Sequence, residues 1–173
     1  MADKRFISQH VQGNKISESI PVSNVQLEDE HFEKFKNSQF ASFHGLLTLF
    51  FGFFFLVIAI ASVNLSMIFL VLFGALMFFI LSMQMHFFKV SDKFLLVQNH
   101  NFFWRRKIYR LEDIKEAVFE TQSKMPNSLR IITRDFKQGV YPAATLSDRT
   151  WLGLMDKLES KKIIVRDELA IRD

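Results

Sequence analysis

GLLTLFFGFFFLVIAIASVNLSMIFLVLFGALMFFILSMQM, residues 45 to 85, runs for 41 residues without an Asp, Glu, Lys or Arg. A membrane-spanning helix takes roughly 20 apolar residues, so the run has room for two spans and not for three. A polar break, Ser62-Val63-Asn64-Leu65-Ser66, falls at its midpoint. The stretch therefore predicts a transmembrane helical hairpin over 44–86, with spans at 44–62 and 66–86. The competing reading is a buried helix pair of a soluble protein. Helices of soluble cores keep a polar face, and this run has none.

The 173 residues divide around it into 43 residues before and 87 after. The longer segment can form one small domain with its own core, and the shorter is marginal for one. There is no cysteine, which excludes disulfides, thiolate metal sites and Cys nucleophiles. The polar opening shows no signal-peptide pattern, so the hairpin itself is expected to act as an uncleaved insertion signal. Five Lys/Arg precede the run and seventeen follow it, with none at the midpoint break. Lys34, Lys36, Lys89 and Lys93 flank its outer ends, which places both termini in the cytoplasm, in an inner (cytoplasmic) membrane. Six acidic residues precede the run and twelve follow it, so the C-terminal part is net basic. Basic residues next to an anchor favour anionic lipid over nucleic acid as partner.

Residues 1–26 read as a polar lead-in, either disordered or a short strand or hairpin around Gly13-Asn14 and Pro21. Residues 27–43 read as a juxtamembrane amphipathic helix, with Phe32, Phe35, Phe40 and Phe43 at the headgroup boundary. The simpler alternative is a cytoplasmic extension of the first span. Small residues recur every seven positions in the run: Gly45, Gly52 and Ala59 in the first half, Ala75 and Ser82 in the second. Such stripes let helix backbones approach closely, and these are expected to face each other. No charged residue lies inside either span, which argues against a channel or transporter. His44 and His86 should meet at the base of the hairpin. Two imidazoles without a carboxylate make a poor metal site, and both sit comfortably at an interface.

From Phe87 the apolar period shortens to that of strands. Phe87–Ser91, Phe94–Val97, Phe102–Leu111, Ile114–Thr121 and Leu129–Thr133 are predicted strands, with Val140-Tyr141 and Ile163–Val165 as further short ones. Leu146–Lys161 reads as an amphipathic helix, with Leu146, Trp151, Leu154, Met155 and Leu158 on one face. Consecutive strands closed by a helix describe an α+β domain with an antiparallel sheet over 87–173.

The phrases VSDKFLLV (90–97) and IYRLEDI (108–114), an aromatic strand between them and the closing amphipathic helix resemble bacterial pleckstrin-homology-like domains. Such domains follow a transmembrane hairpin in many small bacterial membrane proteins. The resemblance covers about 80 residues plus the hairpin. It implies a bent antiparallel sheet of about seven strands, capped by a C-terminal helix, in a bacterial inner membrane. Its motifs are structural and name no activity.

No phosphate-binding glycine loop, zincin or nucleophile-elbow motif occurs. Glu112-Asp113, Glu116 and Glu120 suit a solvated sheet edge better than a carboxylate pair. No enzyme activity and no cofactor are expected. The most suggestive polar feature is a basic set, Lys89, Lys93, Arg105, Arg106, Lys107 and Arg110, able to hold lipid headgroup phosphates. On one strand Arg105 and Lys107 point opposite to Arg106, so one face cannot hold all three. The expected role is a non-enzymatic scaffold or complex subunit presenting the domain to a protein partner or to a second copy. The alternative is a module that reads anionic lipid headgroups.

Overall fold

The computed structural model describes residues 30–38, 42–61, 65–121 and 125–172; the side chains of residues 59, 61 and 65–67 fall outside that description. The expected lead-in over 1–26, and residues 62–64 of the expected break at Ser62–Ser66, lie outside the described residues. Strand β1 (Glu33–Phe35) is followed by helices α1 (Phe43–Ala61) and α2 (Leu65–Met83). Then come β2 (His86–Val90), β3 (Phe94–Asn99), β4 (Arg106–Arg110) and a 3-10 turn, Leu111–Asp113. Strands β5 (Ile114–Glu120), β6 (Ser128–Thr133) and β7 (Gln138–Pro142), helix α3 (Asp148–Ser160) and β8 (Ile164–Asp167) complete the chain.

The strands form two four-stranded sheets, ordered β1-β2-β3-β4 and β7-β6-β5-β8. Their inner faces carry Phe88, Val90, Leu95 and Val97 on one side and Ala117, Phe119, Leu129 and Ile131 on the other, all buried. Helix α3 closes this core with Trp151, Leu154, Met155 and Leu158. The Tyr109 and Tyr141 hydroxyls are hydrogen-bonded to each other between the two sheets. Gly139 lies beneath them, and a Cβ there would fall 2.5 Å from one hydroxyl and 2.7 Å from the other.

Three expectations about this domain are corrected. Instead of one bent antiparallel sheet of about seven strands capped by a helix, there are two sheets. One of them contains a parallel pair, β5 with β8, because α3 returns the chain beside β5 before it ends. The pleckstrin-homology-like assignment therefore gains no support from the fold. Where a helix was expected over 27–43, Glu33–Phe35 pairs antiparallel with β2, and Phe35 buries opposite Phe88. Glu33 also reaches Lys157 of α3 at 2.6 Å, and the Thr150 hydroxyl of α3 donates to Asn37 at 2.5 Å. These contacts outweigh local helical tendency. Finally, the expected strand over 102–111 begins only at Arg106. The Asn99 carboxamide oxygen accepts the Asn101 and Phe102 N–H groups at 2.9 and 3.0 Å, a side-chain turn that holds 100–105 in a loop.

The hairpin is the largest correction. Among the described residues no helix is long and apolar enough to cross a membrane. Part of the reason lies at its base, where the uncharged run is drawn into the domain. Helix α2 ends at Met83, and Met85 already bridges to Ala143. Ser82 and Met85 are fully buried, the Ser82 carbonyl accepts from Asn99 at 2.8 Å, and the Met85 carbonyl accepts the His100 N–H at 2.9 Å. The last turn expected of the second span is thus a polar-bonded part of the β domain. The transmembrane hairpin, the membrane-spanning character and the placement as an integral inner-membrane protein are all overturned by this finding.

The two helices do pack against each other. Gly45, Thr48 and Phe55 are buried on α1 at spacings of three and seven. A Cβ at Gly74 would fall 2.1 Å from the Phe55 ring, so only glycine admits that ring. A Cβ at Gly52 would fall 3.3 Å from the Phe78 ring, a tight fit that a small shift of that ring relieves. On α2 the close approach is made by Gly74, one residue before the Ala75 of the seven-residue stripe, and Ala75 itself is exposed. Ser82 turns to the β domain, accepting from Asn101 at 2.8 Å through its hydroxyl. The Ala59 side chain lies outside the described residues.

Candidate interaction site at the hairpin base

The outward sides of α1 and α2 are apolar and open, with Ile60 77% and Phe69 71% exposed. Removing large apolar side chains from water is the main drive for association, and a continuous patch of this kind marks an interaction site. At the base of α2 the patch continues onto the domain. The Phe79 ring lies 5.4 Å from Phe102, which lies 5.6 Å from Trp104, itself 5.0 Å from Phe103. Phe103 and Trp104 project into solvent, 66% and 64% exposed. The Asn99 turn and the Gln98 side chain, which donates to the Phe103 carbonyl at 3.2 Å, hold this loop in place.

Beside the loop is the outer face of the first sheet. Register places Lys34, Lys89, Leu96 and Ile108 in one row, and Phe87, Gln98 and Arg106 in the next row toward the hairpin. None of these strand positions is acidic. The ammonium groups of Lys36 and Lys89 lie over the Phe87 ring at 5.1 and 5.5 Å, and Arg105 lies over Phe102 at 5.6 Å. Burial, and then the positive charges of Lys34 and Lys36, lower the Lys89 pKa. Carboxylates gather at the opposite end of the strands instead. There Glu30 pairs with Lys93 at 3.6 Å and Glu112 with Arg110 at 3.7 Å, around a cleft of about 660 Å³.

The six basic residues singled out in the sequence are therefore split three ways. Lys89, Arg105 and Arg106 lie toward the hairpin, while Lys93 and Arg110 lie at the acidic end. Lys107 is on the inner face, 6.0 Å from the centre of the Tyr141 ring. Lys34 and Lys36 join the first group from across the hairpin. The helical reading of 27–43 hid them, since only the pairing of β1 with β2 brings them onto this face.

The two histidines at the hairpin base have separate ring partners. His86 turns inward, its Nδ1 2.9 Å from the Pro142 carbonyl oxygen, while His44 meets Phe43 edge-on. Among the described residues no group of three His, Asp or Glu could hold a metal ion. His100 lies 4.8 Å from the Phe87 ring, and burial, with the Lys36 and His86 charges, lowers its pKa to about 4. The unfolded chain, whose histidine titrates near 6.5, binds the proton first. His100 thus contributes stability that is complete above about pH 6.5 and is lost as pH falls toward 4. Thermal melts should show this acid-side loss, roughly 1 kcal/mol after discounting for partial exposure, and His100→Gln should flatten it. An unchanged pH profile in that variant would refute the assignment.

Compared with known proteins, the chain matches no family model and no curated sequence.

Proposed function

We propose that the chain is a non-enzymatic scaffold or complex subunit, which uses the apolar hairpin as its assembly surface and presents the α+β domain to a protein partner. The observation that carries this reading is the open apolar surface of α1 and α2, raised on a domain whose own core is closed. Isolated apolar residues on a surface need no explanation, but two whole helices do. The polar side chains nearest the hairpin act structurally: Ser82, Asn99 and Asn101 fasten its base to the domain. Such a rigid foot suits a piece that transmits position from one bound component to another. The second reading, contact with anionic lipid, draws on the cations around Phe87 and Phe102.

Purification of the tagged full chain from native extracts in mild detergent separates these readings. A protein recovered in stoichiometric amount supports the scaffold, and its recovery should fall when Phe53 and Phe69 are both changed to Ser. Recovery of lipid alone, with no stoichiometric protein, would reject the scaffold in favour of the second reading.

A further inference from the structure

We propose that the loop tip formed by Phe103 and Trp104, with the cations Arg105, Arg106, Lys36 and Lys89, docks on the anionic surface of a lipid bilayer. This goes beyond the scaffold reading by naming what the foot of the hairpin touches, and it concerns the loop and sheet face that adjoin the helical surface assigned to a protein. Three observations meet here. The two aromatic side chains are held outward by a loop that Asn99 and Gln98 fix, so their exposure is built into the fold. They continue the apolar surface of α2 through the Phe79 and Phe102 rings. The adjoining sheet face carries like charges with no acidic strand position among them.

Tryptophan is the side chain best suited to a boundary with one apolar and one wet side, and cations beside it suit anionic headgroups. An acidic protein surface would satisfy the cations but leave Phe103 and Trp104 in water. Bare phosphate would do the same. A bilayer surface offers an apolar layer to the aromatic tip and anionic headgroups to the cations beside it.

The chain offers its own reporter. Of its two tryptophans, Trp151 is wholly buried, so a change in emission on docking belongs to Trp104. The full chain, delivered from dilute detergent, is mixed with vesicles of phosphatidylglycerol and phosphatidylcholine, or of phosphatidylcholine alone. The anionic vesicles should shift emission to the blue, and brominated acyl chains should quench it. Trp104→Phe should remove the response while leaving the circular-dichroism melt unchanged. Neutralising Arg105 or Lys89 to Gln should each weaken binding to anionic vesicles by about fivefold. Equal shifts with both kinds of vesicle would overturn the proposal, as would quenching that persists in Trp104→Phe. A shift produced by inorganic phosphate or by polyglutamate without lipid would also overturn it. Loss of the lipid response leaves the scaffold reading standing, because that reading is judged by recovered protein alone.

Discussion

Trp151→Ala is expected to destabilise the full chain by about 4 kcal/mol, the largest effect of any single core truncation proposed for this fold. The side chain is fully buried on α3, and its ring lies 5.7 Å from Phe88 and 5.6 Å from Phe119. Those two phenylalanines belong to different sheets, so the indole is where the sheets and α3 meet. Alanine would leave a void that sheets fixed by their own hydrogen bonds cannot close. Trp151→Phe should behave differently. Among the described residues the buried indole N–H has no hydrogen-bond partner, and phenylalanine removes that donor while keeping an aromatic ring in the gap. A loss of about 1 kcal/mol is expected, since a smaller cavity is partly offset by relief of the orphaned donor. Urea unfolding followed by circular dichroism measures both. A loss below about 1 kcal/mol for the alanine variant would show that the sheets do not depend on this contact.

The residues around Trp151 were legible before any coordinates. Trp151, Leu154, Met155 and Leu158 recur at helical spacing, and the helix buries those four. Short apolar runs from Phe87 onward also announced strands, because each lies between turn residues that act locally. Ser91 is an example, its hydroxyl accepting the N–H groups of Lys93 and Phe94 at 3.2 and 2.9 Å. What the sequence hid depends on partners distant in the chain. Glu33–Phe35 is a strand only because β2, beyond the whole hairpin, offers an edge, and no local period records that. The uncharged run misled for a related reason. Counting apolar residues cannot show that Ser82, Gln84 and Met85 are bonded to Asn99, Ala144 and His100. The helix contact was misplaced by one residue, since Gly74 and not Ala75 faces Phe55, and a seven-residue count cannot choose between neighbours. The aromatic tip at the hairpin base was half visible. Arg105 stood out in the sequence, but Lys34 and Lys36 join its face of the sheet only through the pairing of β1 with β2.

Arg130→Met is expected to lower stability by about 2 kcal/mol, and Arg130→Met with Glu120→Gln to return most of it. Glu120 is only 3% exposed, at the end of β5, and accepts a hydrogen bond from the Arg130 guanidinium on the neighbouring β6. Register sets Arg130 opposite Val118, two residues from Glu120, on the sheet face turned away from α3. A buried carboxylate stripped of its cation keeps its desolvation cost, which in fully buried pairs comes to about 3–5 kcal/mol. The Arg130 side chain is 28% exposed, so water reaches the gap and the smaller figure applies. Glutamine has no charge to desolvate, and methionine fills the arginine stem while removing the Nε that is buried without a partner among the described residues. The double variant should therefore lie within about 1 kcal/mol of the native chain, with a coupling of about 1–2 kcal/mol. Urea unfolding of the four proteins closes the cycle. Additive losses, with the double variant worse than either single change, would mean that each side chain is held by its other neighbours and that the pair does not join β5 to β6.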